Sequence, residues 1–509
     1  MRRRDFIATG AGAAGALVLT PAFLREALAA PARAGASPYG PLLPADANGL
    51  ALPDGFSGKL IARGQRPVGG MPWPPAPDGQ AIYRTKAGGW ILVTNSESPA
   101  ATGGGASAIR FSPTGEIERA YRILSGTNIN CAGGPTPWGT WLSCEEHEGG
   151  MVWEADPAGV LPSLPRPALG NFAHEAACVD RETGHVFLTE DQSGGGFYRF
   201  TPDTPEDLTA GLLEVASVGA GGVVSWHEVP DPNVVTGPAM TRQQVPQMTR
   251  FNGGEGLWFD DGIVYFTTKG DKKVWAYDAR AGTIETIFDR SLALDSSLDA
   301  VDNITVSASG DVYVCEDGGN MEIGIITPGP DRVVAPFCRL EGEDHQSSEM
   351  CGAVFDPSGT RLYFTSQRAY PYVDGTPLAD GAVYEVTGPF RLPAGGVPEE
   401  KTFGPPIGER ALDLPADVPG LDAAWSHGAA RIGLGEPARV HVALRTAALR
   451  NERSARWLEP RPVLTTLASA SLDLPRGSHT VPLVPAARGI PAILTVRAGR
   501  RVAAVPVQL

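Results

Sequence analysis

Carboxylates recur along this chain at places where a repeating strand pattern would gather them. Strand-like runs at 90–97, 138–146, 185–191, 264–269, 312–317 and 362–367 each end in an acid or another polar group. Fourteen or fifteen residues before most of these ends stands a second polar side chain. Cys131 precedes Glu146, Glu175 precedes Glu190, Glu255 precedes Lys269, and Asp302 and Asn303 precede Glu316 and Asp317; Glu349 precedes Gln367 by eighteen. Carboxylates crowded into one place cannot all stay ionised unless cations neutralise them. Many oxygen donors suit a hard cation such as calcium. A thiolate among them, Cys131, suits a transition metal: iron, manganese or zinc. Lys269 and Arg368 occupy or adjoin strand ends where other copies carry acids, and Arg250 stands just before Phe251. Such cations either pair with the neighbouring acids or hold an anionic substrate such as a phosphate ester.

The elements that must position these groups are short strands. Each run is rich in β-branched and aromatic residues, and several follow turn signals such as Asp261-Gly262, Ser309-Gly310 and Ser358-Gly359. Most of the six copies lie 44 to 51 residues apart; the gap from 190 to 269 is longer and holds an apparent insertion at 201–250. That period is the size of a propeller blade. The reading is an all-β chain with a six-bladed β-propeller over about 50–390. In a blade the innermost strand runs along the channel and the next returns antiparallel. The start of the first and the end of the second therefore meet at one mouth. The groups expected there are Cys131, Glu145, Glu146, Glu175, Glu190, Asp191, Glu255, Asp302, Asn303, Glu316, Asp317 and Glu349. A single acid at a strand end is commonly a solvated turn residue; a set in phase with the repeat argues for cations.

Composition agrees. The chain has 509 residues, 63 Gly and 46 Pro, with 42% hydrophobic residues. A helical bundle cannot carry so much proline, whereas many tight turns can. The net charge of −15 excludes a coat for nucleic acid or anionic membrane. The first 29 residues read as an export signal: Arg2-Arg3-Arg4-Asp5-Phe6-Ile7, a small apolar stretch, then Ala27-Leu28-Ala29. The Arg3-Arg4 pair with Phe6-Ile7 resembles a bacterial twin-arginine signal, which implies the twin-arginine export machinery as a partner and a periplasmic or secreted protein. No later apolar run approaches the ~20 residues of a membrane span. The six cysteines form no dense framework, so most are expected to be small buried residues.

The string Asn130-Cys131-Ala-Gly-Gly-Pro-Thr-Pro-Trp-Gly-Thr-Trp-Leu-Ser-Cys-Glu145-Glu146 is long and unusual. With His174-Glu175, Gly253-Gly254-Glu255-Gly256, Asp302-Asn303-Ile304-Thr305, Cys315-Glu316-Asp317-Gly318 and Ser348-Glu349, it resembles the bacterial PhoX-type alkaline phosphatases over about 50–390. The resemblance implies a six-bladed propeller that hydrolyses phosphomonoesters, with iron (as Fe3+) and calcium ions at the channel mouth. By motif match Cys131 and Glu146 would be iron ligands, and Glu175 and Glu255 would bind the same cluster. Asp302, Asn303, Glu316 and Glu349 would serve the calcium part. Two places depart from the family pattern. Gly253-Gly254-Glu255 stands where the larger relatives carry Arg-Pro-Glu, and Gln367-Arg368-Ala369-Tyr370 stands where they carry Gln-His-Pro-Gly. The metal ligands are thus kept more fully than the phosphate clamp, for which Arg368 or Arg250 is the available substitute.

The remaining parts are a short segment at 30–49, a Pro- and Gly-rich linker at 391–430 and, at 431–509, alternating strands expected to form a small β-sandwich-like domain. Two other functions fit a ring of acids: a calcium-dependent propeller hydrolase of lactones or other esters, and a non-catalytic propeller held together by its metals.

Overall fold

Hairpins closed by tight turns organise the chain into separate sheets, most of them four-stranded. The computed structural model describes residues 30–159, 163–234, 240–370, 380–393, 406–407, 421–426, 429–453, 458–483, 491–498 and 501–508. The expected export signal and most of the expected linker lie outside the described residues. Six sheets follow one another around a ring, and each begins with a short innermost strand. Blade one runs from Pro77–Arg84 to Ile117–Ser125, blade two from Asn130–Pro135 to Leu164–Pro165, and blade three from His174–Val179 to Val224–Glu228. Blade four spans Gly254–Asp260 to Thr283–Asp289, and blade five Ile304–Val306 to Val333–Leu340. Blade six contains Met350–Phe355, Arg361–Ser366 and Ala382–Thr387, and its outermost strand is Ser57–Arg63 from the other end of the propeller. That exchange closes the ring, because it makes the last blade depend on the first strands of the chain. The chain is an all-β, six-bladed β-propeller as the repeat predicts.

Part of the apparent insertion at 201–250 is sheet. Blade three has a fifth strand, Val224–Glu228, and its third and fourth strands, Phe197–Thr204 and Asp207–Val218, are long. The residues before the propeller also pair. Arg33–Ala34 runs parallel to the outer strand of blade five, and Leu50–Ala51 runs antiparallel to it.

The core lies between neighbouring blades. One cluster joins Leu142, Leu188, Tyr198, Phe200 and Val215 of blades two and three; another joins Phe187, Phe197, Phe266 and Tyr277 of blades three and four. The innermost strands crowd the axis. A Cβ on Gly256 would stand 2.4 Å from Asn303 Cα, and one on Gly79 would stand 2.5 Å from Ala132 Cα. Only glycine lets these backbones approach so closely.

Beyond the propeller, Leu421–Ser426, Ala429–Leu434 and Gly477–Pro482 form one sheet. Ala438–Arg453, Leu458–Leu474, Pro491–Ala498 and Arg501–Gln508 form a second. Ile432, Val442, Leu444, Val481 and Leu494 share one buried cluster, so the two sheets face each other as a small sandwich. Its first strand, Leu421–Ser426, begins inside the stretch expected to be linker. Among the described residues no helix is long and apolar enough to cross a membrane.

Candidate metal centre

The same irregularity occurs at the mouth of five blades. The first hairpin pairs at Pro77↔Ser96, Asn130↔Glu145, His174↔Glu190, Gly254↔Thr268 and Met350↔Ser366, and its register then slips within the next few residues. A bulge of this kind leaves one inner-strand residue unpaired and re-aims its side chain. In each of these blades the residue after the first pair carries chemistry: Asp78, Cys131, Glu175 and Glu255 stand in the slip itself, whereas Cys351 still pairs with Thr365 and the slip of blade six follows it. Asp302 takes that place in blade five, where its N–H donates to the Cys315 carbonyl at 3.0 Å.

A second ring lies on the returning strands. The N–H groups of Glu97, Glu146, Asp191, Lys269 and Gln367 donate to the carbonyls of Ala76, Ile129, Ala173, Gly253 and Glu349, at 2.8 to 3.1 Å. One repeated backbone bond therefore sets five side chains beside the first ring.

The two rings make one buried cluster. Ligand atoms of Cys131, Glu146 and Glu175 lie within 4.8 Å of one another, as do those of Glu175, Glu255 and Asp302. Asp78 groups in the same way with Glu97 and Cys131, and also with Glu349 and Cys351. Glu175 is fully buried, and Asp78 is 1% exposed. Among the described residues neither Asp78 Oδ1 nor Glu175 Oε2 has a hydrogen-bond partner. A buried carboxylate oxygen without a donor is costly, and a bound cation would supply what it lacks. The donor set fits the ions that the resemblance implies: carboxylates in excess for calcium and a thiol for iron.

Burial is the largest cause of the shifted protonation here, and mutual repulsion adds to it. It pushes Glu97 up to about 7, with the Asp78 charge next in weight, and Glu146 up to about 9, with the Glu97 charge next. Glu175, Glu255, Asp302 and Glu349 are raised well above the usual carboxylate range, and the Cys131 thiol is raised likewise.

The structure brings Cys131, Glu146, Glu175, Glu255, Asp302 and Glu349 together, with Asn303, Asp191 and Asp317 around them. Asn303 donates to Asp302 Oδ1 at 2.9 Å and accepts from the Gly352 N–H at 2.6 Å. Asp191 lies against Glu146 and Asp317 against Glu349, and each neighbour helps to push the glutamate up. Three expected ligands are occupied elsewhere. Glu145 accepts from the Asn128 N–H at 2.9 Å and from the Trp153 indole at 3.0 Å. Glu190 accepts from Tyr198 at 2.7 Å and from Arg242 at 2.9 Å. Glu316 accepts from the Asp299 and Glu322 N–H groups at 2.9 and 3.2 Å. The reason is alternation: consecutive strand residues face opposite ways, so Glu146 and Glu145 serve different sides of one sheet.

The cations differ in kind. Lys269 Nζ lies 2.8 Å from Glu255 and 2.7 Å from Asp191, within the second ring. Arg368 Nη1 lies 2.8 Å from Glu349, with its side chain half exposed at the rim. Arg250 is exposed and reaches the Gly194 carbonyl at 3.5 Å.

Four residues of the cluster escaped the sequence reading: Asp78, Glu97, Cys351 and Gln367 as a contact. The Gln367 amide donates to both Asp78 Oδ2 and Glu97 Oε2. Glu97 ends the first strand run of the repeat, and that place was the available signal for it.

Residues 78–156 and 147–291 match the family model described as alkaline phosphatase PhoX. The matched span includes Asp78, Glu97, Cys131, Glu146, Glu175 and Glu255. No curated protein matches the chain. Solved structures that resemble it include a gluconolactonase from Xanthomonas campestris, 14% identical, covering 69% of this chain and 99% of that one with a TM-score of 0.39. A calcium-binding regucalcin from Agrobacterium tumefaciens is 13% identical and covers 66% of this chain and 97% of its own, with a TM-score of 0.35.

Proposed function

We propose, from the premise that residues 78–291 are of the PhoX alkaline phosphatase family, that this propeller is a metal-dependent hydrolase of phosphate monoesters. The observation that supports it most directly is the pair of phased rings, in which Asp78 Oδ1 and Glu175 Oε2 lack a donor among the described residues. Cys131, Glu146, Glu175 and Glu255 would hold the iron part of the cluster; Asp302 and Glu349 would extend it. When bound, iron and calcium supply Lewis acidity that polarises the phosphoryl oxygens.

The chain's own residues do the rest. Arg368, half exposed beside Glu349, can turn its guanidinium to a phosphate at the rim. Lys269 keeps its charge because Glu255 and Asp191 flank it, and it adds positive potential on the other side of the mouth. Gln367 holds Asp78 and Glu97 in orientation through one amide. Arg250, at the exposed edge, is the remaining cation for a long substrate. Export through the twin-arginine route, before or after metal loading, would deliver the folded protein to the periplasm or beyond.

The test is hydrolysis of p-nitrophenyl phosphate by protein purified without chelator, with calcium and iron added. Turnover that disappears on chelation and returns with the metals supports the reading. Full metal content without turnover of phosphate esters overturns it.

A further inference from the structure

Cys351 is a second thiol in the first ring, and no expectation placed it there. It follows the Met350↔Ser366 pair of blade six as Cys131 follows the Asn130↔Glu145 pair of blade two, although Cys351 still pairs with Thr365 before its strand bulges. Both cysteines are free and buried. Asp78 stands between them: it shares one triad with Cys131 and Glu97, and another with Glu349 and Cys351. In the second triad each residue brings a ligand atom within 4.8 Å of the other two.

Two observations separate this triad from a mere cluster of acids. Asp78 Oδ2 is taken by Gln367, which leaves Oδ1 without a partner among the described residues on a side chain that is 1% exposed. The Cys351 thiol donates to Asp302 Oδ2 at 3.3 Å, which is a weak bond that a metal would readily replace. The donor chemistry then chooses the ion. Calcium takes oxygen ligands alone, whereas a thiolate with two carboxylates suits a borderline transition ion.

We propose that Asp78, Glu349 and Cys351 form a second thiolate-containing metal site, which takes a transition ion rather than calcium. Asp78 then lies between two such ions, one on each thiol. This rests on reading the cluster as a metal centre, and not on the identity of the substrate. It changes the role expected for Glu349, from a calcium ligand to a partner of a thiolate.

The full chain, loaded with iron and calcium together, is analysed for both elements beside Cys351→Ser and Cys131→Ser. Each variant is expected to lose about half of the bound transition metal and of the thiolate-to-metal charge-transfer absorption. Unchanged iron content in Cys351→Ser overturns the proposal. Should that variant not fold, the unaltered protein loaded with cobalt(II) is the second measurement. Charge-transfer intensity worth two thiolates per chain supports the site, and intensity worth one overturns it. Neither measurement involves turnover. A protein with two thiolate-bound ions and no phosphatase activity would keep this site and lose the proposed function, and the converse result would do the opposite.

Discussion

Glu255 Oε1 and Lys269 Nζ form an ion pair of 2.8 Å within one blade, one residue on each ring. Blade four thereby answers its own carboxylate, which the other inner-ring acids do not do. Glu175, in the neighbouring blade, is repelled by Glu255, Glu146, Asp302 and Asp78. The rings carry more negative charge than Lys269 and Arg368 offset, and this imbalance makes the metal-free protein sensitive to pH.

Stability without metal should fall as pH rises. Glu97 and Glu146 are raised from an ordinary value of 4.5 to about 7 and about 9. Between 4.5 and 9 the folded state therefore holds protons that the unfolded state has released. Stability declines as pH climbs through that window, because the unfolded state binds fewer protons. Chelated protein is expected to melt several degrees lower at pH 9 than at pH 5. Metal-loaded protein should not follow this trend, since its carboxylates are bound as anions. Melting curves at both values, with and without chelator, check it; a metal-free protein more stable at pH 9 would contradict the burial of these acids.

Glu175→Gln should separate metal binding from stability. Glu175 is fully buried; one oxygen accepts from Asn303 at 3.4 Å and the other has no partner among the described residues. The amide keeps the shape and removes the charge. The variant should bind less metal, yet its metal-free form should gain about 1–3 kcal/mol at pH 9. Denaturant unfolding in chelator, together with elemental analysis, reads both effects.

Gly256→Ala tests how closely the blades must approach. The new methyl would meet the Asn303 Cα at 2.4 Å and the Ile304 nitrogen at 2.8 Å, and both are backbone atoms that cannot rotate away. The expected cost is about 1–3 kcal/mol. Because Asn303 adjoins Asp302, metal content should fall as well. Gly184→Ala is the control: its Cβ would meet nothing within 4 Å, although its positive φ adds some strain.

How much of this was readable from the chain depends on where the information lay. The second strand of each hairpin ends in a polar group at a steady interval, so the ring and its number of blades could be counted. Cys131, Glu175 and Glu255 followed from their distance to those ends. That distance depends on hairpin length, and Asp78 stands nineteen residues before Glu97 because the blade-one hairpin is longer. Cys351 was hidden by Glu349, two residues earlier, which offered an acid and so filled the expected role. Choosing Glu146 over Glu145 needs the sheet register, and adjacent glutamates carry no sign of which faces the channel.

Arg368→Ala tests the rim cation as a substitute for the family's missing clamp. Arg368 Nη1 is held by Glu349 at 2.8 Å, and its side chain is half exposed, so it can reach both the cluster and solvent. A charge-assisted bond to phosphate contributes roughly 1.5–3 kcal/mol. Its loss should raise KM for a phosphomonoester by about 10- to 100-fold, with a smaller effect on kcat. Arg368→Lys should recover part of the affinity, because a point charge attracts phosphate without the two-pronged geometry. A purely structural Arg368 would instead alter metal content through Glu349 and leave KM unmoved once metal is restored. Steady-state kinetics at saturating calcium and iron distinguish the two roles.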